Sequence, residues 1–208
     1  MKEKKISITK EKIKRSAIEL FNTKETLSIT TNHIAKHAGI SSGNLYYHYK
    51  NKEEIIREIY TEMSSTFVSF NSFEKIATSE NPLKELSLMF DIYGELFWSY
   101  RFLMRDSAVL MAMDSELKTM FSKNQEKRIS QIDGLLRYLI SQDILEGIPN
   151  DEIPIRAKLH WFISAYWQVF TSSSSEITKD SIKEAKDIIF KIHIYPFLSD
   201  KGKNLVNQ

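Results

Sequence analysis

The chain has 208 residues, a formal net charge of +2 and no cysteine, which excludes disulfides, iron–sulfur clusters, thiolate zinc sites and cysteine nucleophiles. No apolar run approaches the roughly 20 residues of a membrane span or resembles a signal-peptide core, so a soluble, cytoplasmic chain with no membrane partner is expected. Residues 1–52 hold eleven Lys and Arg against four Glu and the rest holds 18 basic against 23 acidic groups, a basic head on an acidic body that suits binding of a polyanion at one end.

In chain order, residues 1–8 read as a charged arm. A helix is predicted from Thr9, with Ile13, Ala17, Leu20 and Phe21 on one stripe, and Asn22 to Leu27 breaks it. Thr30 is an N-cap for a short helix whose inward face is Ile34, Ala35 and Ala38, and Gly39 stands where a left-handed residue closes a helix. Ile40 plugs the turn. Ser41 caps a second short helix that carries Leu45 and Tyr49 inward. Two such helices joined by a short glycine-containing turn form a helix-turn-helix. The outward face of the second reads Ser42, Gly43, Asn44, Tyr46, Tyr47 and His48, and the missing side chain at Gly43 allows a close backbone approach.

Asn51 caps the next helix, with Glu54 positioned for a reciprocal capping contact. Its stripe of Ile55, Ile56, Ile59, Tyr60 and Met63 is expected to continue past Phe67 and Phe70 toward Phe73, so that one helix serves both head and body. Asn81-Pro82 is a cap followed by proline in the first turn. With six Gly, four Pro and no sustained alternation, the body reads as helices only, near 82–99, 101–112, 115–143, 152–172 and 179–196. Residues 90–102 and 161–170 are dense in aromatics, as suits either a core or an apolar pocket with few polar anchors. Candidate pocket residues are Tyr93, Phe97, Arg105, His160, Tyr166 and Trp167, with Gln168 a further anchor and several methionines an adaptable wall. Phe162, Tyr166, Phe170, Ile182, Ala185, Ile189 and Ile192 are candidates for a subunit interface, because two amphipathic helices with surplus apolar surface must cover it.

Thr31, Ile34-Ala35, Ala38-Gly39-Ile40-Ser41, Gly43 to Tyr49 and Lys52-Glu53 together resemble the tetracycline-repressor (TetR) family of bacterial transcription regulators. Two positions depart from the family's pattern: Tyr49 stands where Phe is usual, and Ser42 where Lys or another polar residue is common. The resemblance implies an all-α chain, with a helix-turn-helix DNA-binding domain over 7–66 and a helical effector-binding and dimerisation domain over 67–208. It also implies a homodimer paired through its last two helices, and a repressor that a small apolar or amphipathic effector releases from a near-palindromic operator. With the second short helix in the major groove of double-stranded DNA, Gly43, Asn44 and Tyr46 meet base edges. Thr31, Ser41, Ser42, Tyr47, His48, Lys50 and Lys52 then hold phosphates, and the first amides of the following helix add an anion site. The alternative is a DNA-binding regulator with no small-molecule effector, controlled by a protein partner or acting as a structural DNA binder.

No catalytic set assembles. There is no Gly-Lys-Ser/Thr phosphate loop, Gly-x-Ser-x-Gly elbow or dinucleotide fingerprint. His33 and His37 have the spacing of a helical metal pair, but a third ligand is missing, so no metal and no cofactor are expected.

Overall fold

Short polar side chains set the helix starts in the computed structural model, which describes residues 2–70 and 72–207. The hydroxyl of Thr30 accepts the His33 amide while the His33 ring accepts the Thr30 amide, a closed capping box at the start of α2 (Thr31–His37). Ser41 accepts the Asn44 amide to start α3 (Ser42–His48), and Asn51 accepts the Glu54 amide to start α4 (Lys52–Ser69). Each such cap contributes about 1 kcal/mol. Gly39 lies between α2 and α3 at φ +61°, a conformation that strains any residue with a Cβ.

Before them, α1 (Lys2–Thr23) backs the pair, and a 3-10 turn (Thr26–Ser28) leads from it to α2. The body follows with α5 (Ser72–Thr78), α6 (Pro82–Ser99), α7 (Arg101–Arg105), α8 (Ser107–Met113), α9 (Ser115–Ser141), α10 (Ile153–Ser172), α11 (Lys179–Ile189) and α12 (Asp200–Val206). The α10 helix packs along both α9 and α11. Among the described residues there is no strand, only a single bridge between Leu145 and Leu198.

Two large apolar cores and a small cluster of Ile163, Ala185 and Ile189 hold these elements. The first joins Ile13, Phe21, Ile34, Leu45 and Tyr49 of the head to Ile55, Ile59, Met63 and Phe67 of α4, then to Leu96, Phe102, Leu110 and Leu117 of the body. The second packs Ile76, Leu86, Leu135, Leu139, Ala157 and Leu198. The head therefore has no core of its own apart from the body.

Four expectations are corrected and one further helix is added. The first helix begins at Lys2 rather than Thr9, replacing the expected arm, with Met1 outside the described residues. The α4 helix ends at Ser69, and α5 replaces its continuation. The break re-aims the chain: Phe67 and Phe70 pack in the first core beside Tyr93, whereas Phe73 and Ile76 pack in the second. Residues 101–112 split at Asp106, whose carboxylate is taken by Arg105 and Thr26. The helix expected over 179–196 ends at Ile189, passes through a π-turn (Phe190–Ile194) and finishes in a 3-10 turn around Pro196, which has no amide to donate. Finally α12 follows, held by the Asn81 amide on the Leu205 carbonyl at 2.9 Å and by close approach at Gly202.

A Cβ at Gly202 would stand 2.4 Å from the Ile144 carbonyl oxygen, a backbone atom with little room to move. Gly202→Ala is expected to destabilise the fold by about 1–3 kcal/mol, read from the urea midpoint. An unchanged midpoint would show that α12 docks more loosely than this.

Candidate nucleic-acid interface and interior cavity

Burial divides the helix-turn-helix cleanly. Leu45 and Tyr49 are fully buried, while Ser41, Ser42, Gly43, Asn44, Tyr46, Tyr47 and Lys50 are exposed and His48 is half-buried against the Tyr47 ring. Two hydrogen bonds fasten α3 to α2 on this outer face: Thr31 Oγ1 with the Tyr46 hydroxyl, and Ser42 Oγ donating to Asn32 Oδ1, both at 2.8 Å. Thr31 and Ser42, read from sequence as phosphate ligands, thus also fix the angle between the two helices. Asn32 joins this face without having been singled out. Nothing lies within 4 Å of a Cβ placed on Gly43, so the fold itself does not require glycine there.

Lys52 is corrected. Its ammonium donates to the carbonyls of Thr26 and Ile29 at 2.9 Å each, closing the 3-10 turn, and burial lowers its pKa. The side chain points into the fold rather than toward a phosphate. The anion site expected at the start of α4 also holds the chain's own groups: the Glu54 carboxylate accepts the Lys50 amide at 2.7 Å, not the Asn51 amide expected for a capping box. The head's positive charge is partly internal too. Lys10 and Lys14 of α1 pair with Glu58 and Glu62 of α4, and Lys10 also covers the Tyr49 ring. His33 serves the capping box and His37 pairs with Glu19 at 2.8 Å, and among the described residues no cluster of His, Cys, Asp or Glu is arranged to hold a metal.

The body contains a cavity of about 290 Å³ walled by α4 to α11. Of the residues chosen from sequence, Tyr93, Phe97, His160 and Tyr166 line it. Arg105 and Trp167 do not. Arg105 donates to the carbonyls of Phe21 and Lys24 and to Asp106, clamping the end of α1 to the body, and Asp106 in turn accepts from Thr26. Trp167 turns outward, with its ring nitrogen 3.3 Å from Glu184, and Trp161 takes the inner position. His160 stacks on Phe90, and burial pushes its pKa down to about 3, so the imidazole is neutral. Gln168 also lines the cavity, hydrogen-bonded with Ser181.

Two features escaped sequence reading. Tyr60, Met63 and Phe67 of α4 form one wall, which puts the connecting helix in the cavity itself. Arg128 is a second, buried at 9% exposure with its guanidinium over the Phe67 ring. The signal was present: Arg128 interrupts the stripe Leu117, Phe121, Ile132, Leu135 along α9. Among the interface candidates, Phe162, Phe170 and Ile192 are exposed, but Ile182, Ala185 and Ile189 are buried within the chain and line the cavity. The inward stripe of α11 is used up on α6 and α10. The uncovered apolar stripe is on α10 instead, through Ile155, Leu159, Phe162 and Phe170, with Ile192 and Tyr195 beyond it.

Comparison with known proteins identifies the lineage. Residues 13–59 match the family described as "Bacterial regulatory proteins, tetR family", and residues 69–206 match "Bacterial transcriptional repressor" of the same family. The chain belongs to the TetR family of transcriptional regulators. Over 61 residues it is 41% identical to the biofilm operon icaADBC HTH-type negative transcriptional regulator IcaR of Staphylococcus epidermidis, a match spanning 29% of this chain and a third (33%) of that protein. A TetR-family regulator from Marinobacter aquaeolei VT8 superimposes with a TM-score of 0.81 at 27% identity, covering 95% of both chains. One from Pectobacterium atrosepticum gives 0.60 at 14% identity over 94% of this chain and 97% of that one, a likeness of fold. No helix among the described residues is long and apolar enough to cross a membrane.

Gly43→Ala and Lys52→Ala are expected to behave oppositely. The first leaves stability unchanged or raises it by up to about 1 kcal/mol while weakening DNA binding. The second lowers the melting temperature and leaves the salt dependence of DNA binding nearly unchanged. Thermal melts with DNA titrations at several salt concentrations check both; a shallower salt slope for Lys52→Ala would restore Lys52 as a phosphate contact. His160 gives a pH signature. Its unfolded imidazole takes a proton below about pH 6.5 while the folded one stays neutral to about 3, so stability is lost as pH falls through that window. His160→Met is expected to flatten the urea-derived stability profile there by up to about 1.4 kcal/mol per pH unit, with the neighbouring buried His193 and, at the acid end, the lowered carboxyls of Glu62 and Asp106 supplying the remaining slope.

Proposed function

We propose that this regulator is a cytoplasmic homodimeric repressor that leaves a near-palindromic operator when a small apolar or amphipathic molecule fills the cavity. The observation that carries this reading is the double duty of α4. Its first turns bury Ile55, Ile56 and Ile59 under the helix-turn-helix, and its later turns present Tyr60, Met63 and Phe67 to the cavity. A molecule that prefers one setting of Phe67 therefore biases the orientation of the head, and a ligand shifts such an equilibrium by its differential affinity for the two states.

In the DNA-bound state α3 lies in the major groove. Gly43 lets the helix start approach, Asn44 pairs with a base edge, and Tyr46 meets a base or a thymine methyl. Ser41, Ser42, Tyr47, His48, Lys50 and Thr31 hold phosphates, which set the register and make affinity fall with salt. Two heads are spaced by pairing of the α10 stripe, whose exposed aromatics Phe162 (60%) and Phe170 (64%) support a partner on that face.

Selection from a random duplex library at near-physiological salt is expected to enrich a near-palindrome, and Asn44→Ala to relax the preference at one position of each half-site. Phe162→Asp is expected to convert the dimer to a monomer in sedimentation analysis and to weaken operator binding at least tenfold. Binding that merely fades with salt, with no enriched motif, would contradict the reading, as would a Phe162→Asp dimer with full affinity.

A further inference from the structure

The cavity wall carries charge of one sign. Among its described lining residues are Arg128, Lys118 and Lys186, and no Asp or Glu. Lys186 is balanced by Asp91 at 2.5 Å, and Lys118 is exposed. Arg128 differs from both: it is nine-tenths buried, and among the described residues its polar partners are Gln131 and Tyr93 with no carboxylate. Its neighbours are Gln131 Oε1 at 3.0 Å, the Phe67 ring 4.8 Å from the guanidinium carbon, and Tyr93. Burial lowers its pKa, yet a guanidinium keeps its proton in proteins, so a net positive charge is buried against an apolar cavity. Such a charge is costly alone and strongly favoured once an anion joins it.

We infer that the effector is a monoanionic amphiphile, with a carboxylate head on Arg128 and an apolar body among the aromatic side chains of the cavity. This rests on the ligand-responsive reading above and narrows it to a chemical class. A carboxylate matches the planar guanidinium fork through two parallel hydrogen bonds. A dianionic phosphate monoester fits less well, because one guanidinium would leave a second negative charge buried without a partner. Size is bounded by the cavity: about 290 Å³ lies at the small end of ligand pockets, which run from roughly 300 to 1,000 Å³, so the class is a medium-length aliphatic or bicyclic aromatic acid. The head group would sit beside Phe67, the point at which α4 meets the cavity, so anchoring and transmission involve the same contact.

The test is calorimetric titration of decanoate and 2-naphthoate against decan-1-ol and naphthalen-2-ylmethanol, which keep each skeleton and remove the charge. The acids are expected to bind the wild-type chain at least tenfold more tightly than their alcohols, the scale of a charged hydrogen bond. Arg128→Gln is expected to erase that preference, and Arg128→Lys to retain part of it. Because the wild-type comparison needs no variant, a folding defect in Arg128→Gln cannot mask the answer. Alcohols equal to acids, no binding by either acid, or an acid preference that survives in Arg128→Gln overturns the inference. Operator release measured in parallel separates the two readings. Acids that bind through Arg128 without releasing DNA leave this inference standing and contradict effector-driven release; release by the alcohols independent of Arg128 does the reverse.

Discussion

Everything in this chain depends on α4 being packed at both ends into one apolar core. A head made of α1, α2 and α3 alone has too few buried side chains to be rigid, since domains this small bury only a modest share of their surface. Here Phe21 of α1 meets Phe102 of α7 at 5.0 Å, and Tyr60 of α4 stacks on Phe121 of α9 at 4.3 Å. Polar ties reinforce the same seam. Arg57 donates to Asp114 at 2.6 Å while Asp114 caps α9, and Asn22 holds both Ser99 and Phe102 by their backbones. Removal of Arg57 would leave the buried Asp114 carboxylate without its counter-ion, whereas Arg57 also pairs with Glu116 at 3.3 Å. The head cannot tilt without repacking the cavity wall, and close-packed walls favour discrete alternatives over gradual deformation.

The distribution of charge follows the same division. Lys10, Lys14, Lys52 and Arg105 all belong to the basic inventory by sequence, yet each is engaged with a carboxylate or a run of carbonyls inside the molecule. On the proposed reading, the face left for DNA is accordingly dominated by hydroxyls, an amide and two phenols along α3, with Lys50 at its end. Such a surface reads a duplex by close approach and hydrogen bonding more than by bulk attraction, which favours selectivity over raw affinity.

The parts legible in sequence were those governed by local rules. Thr30, Ser41, Asn51 and Asn81 mark helix starts because a short oxygen reaching an amide needs only neighbouring residues. Leu45 and Tyr49 point inward because a four-residue spacing fixes one helix face. What escaped depends on contacts far along the chain. The role of Lys52 is set by carbonyls more than twenty residues away, and that of Arg105 by the end of α1 some eighty residues earlier. Ile182, Ala185 and Ile189 read as surplus because periodicity reveals that a stripe exists but not which surface covers it. Trp161 and Trp167 differ by less than two helical turns, and only the packing of α10 between α9 and α11 decides which one faces the cavity.

The measurement closest to the central claim is the distance between the two heads of the proposed dimer. A chain with no native cysteine can be spin-labelled at one introduced site, and Lys36→Cys lies on the exposed face of α2. Pulsed electron-electron resonance is expected to give one narrow distance on operator DNA. A displaced distribution is expected when a cavity-binding compound releases that DNA. The same distribution in both states would mean that α4 does not carry the signal, and that the cavity and the DNA-reading face act independently.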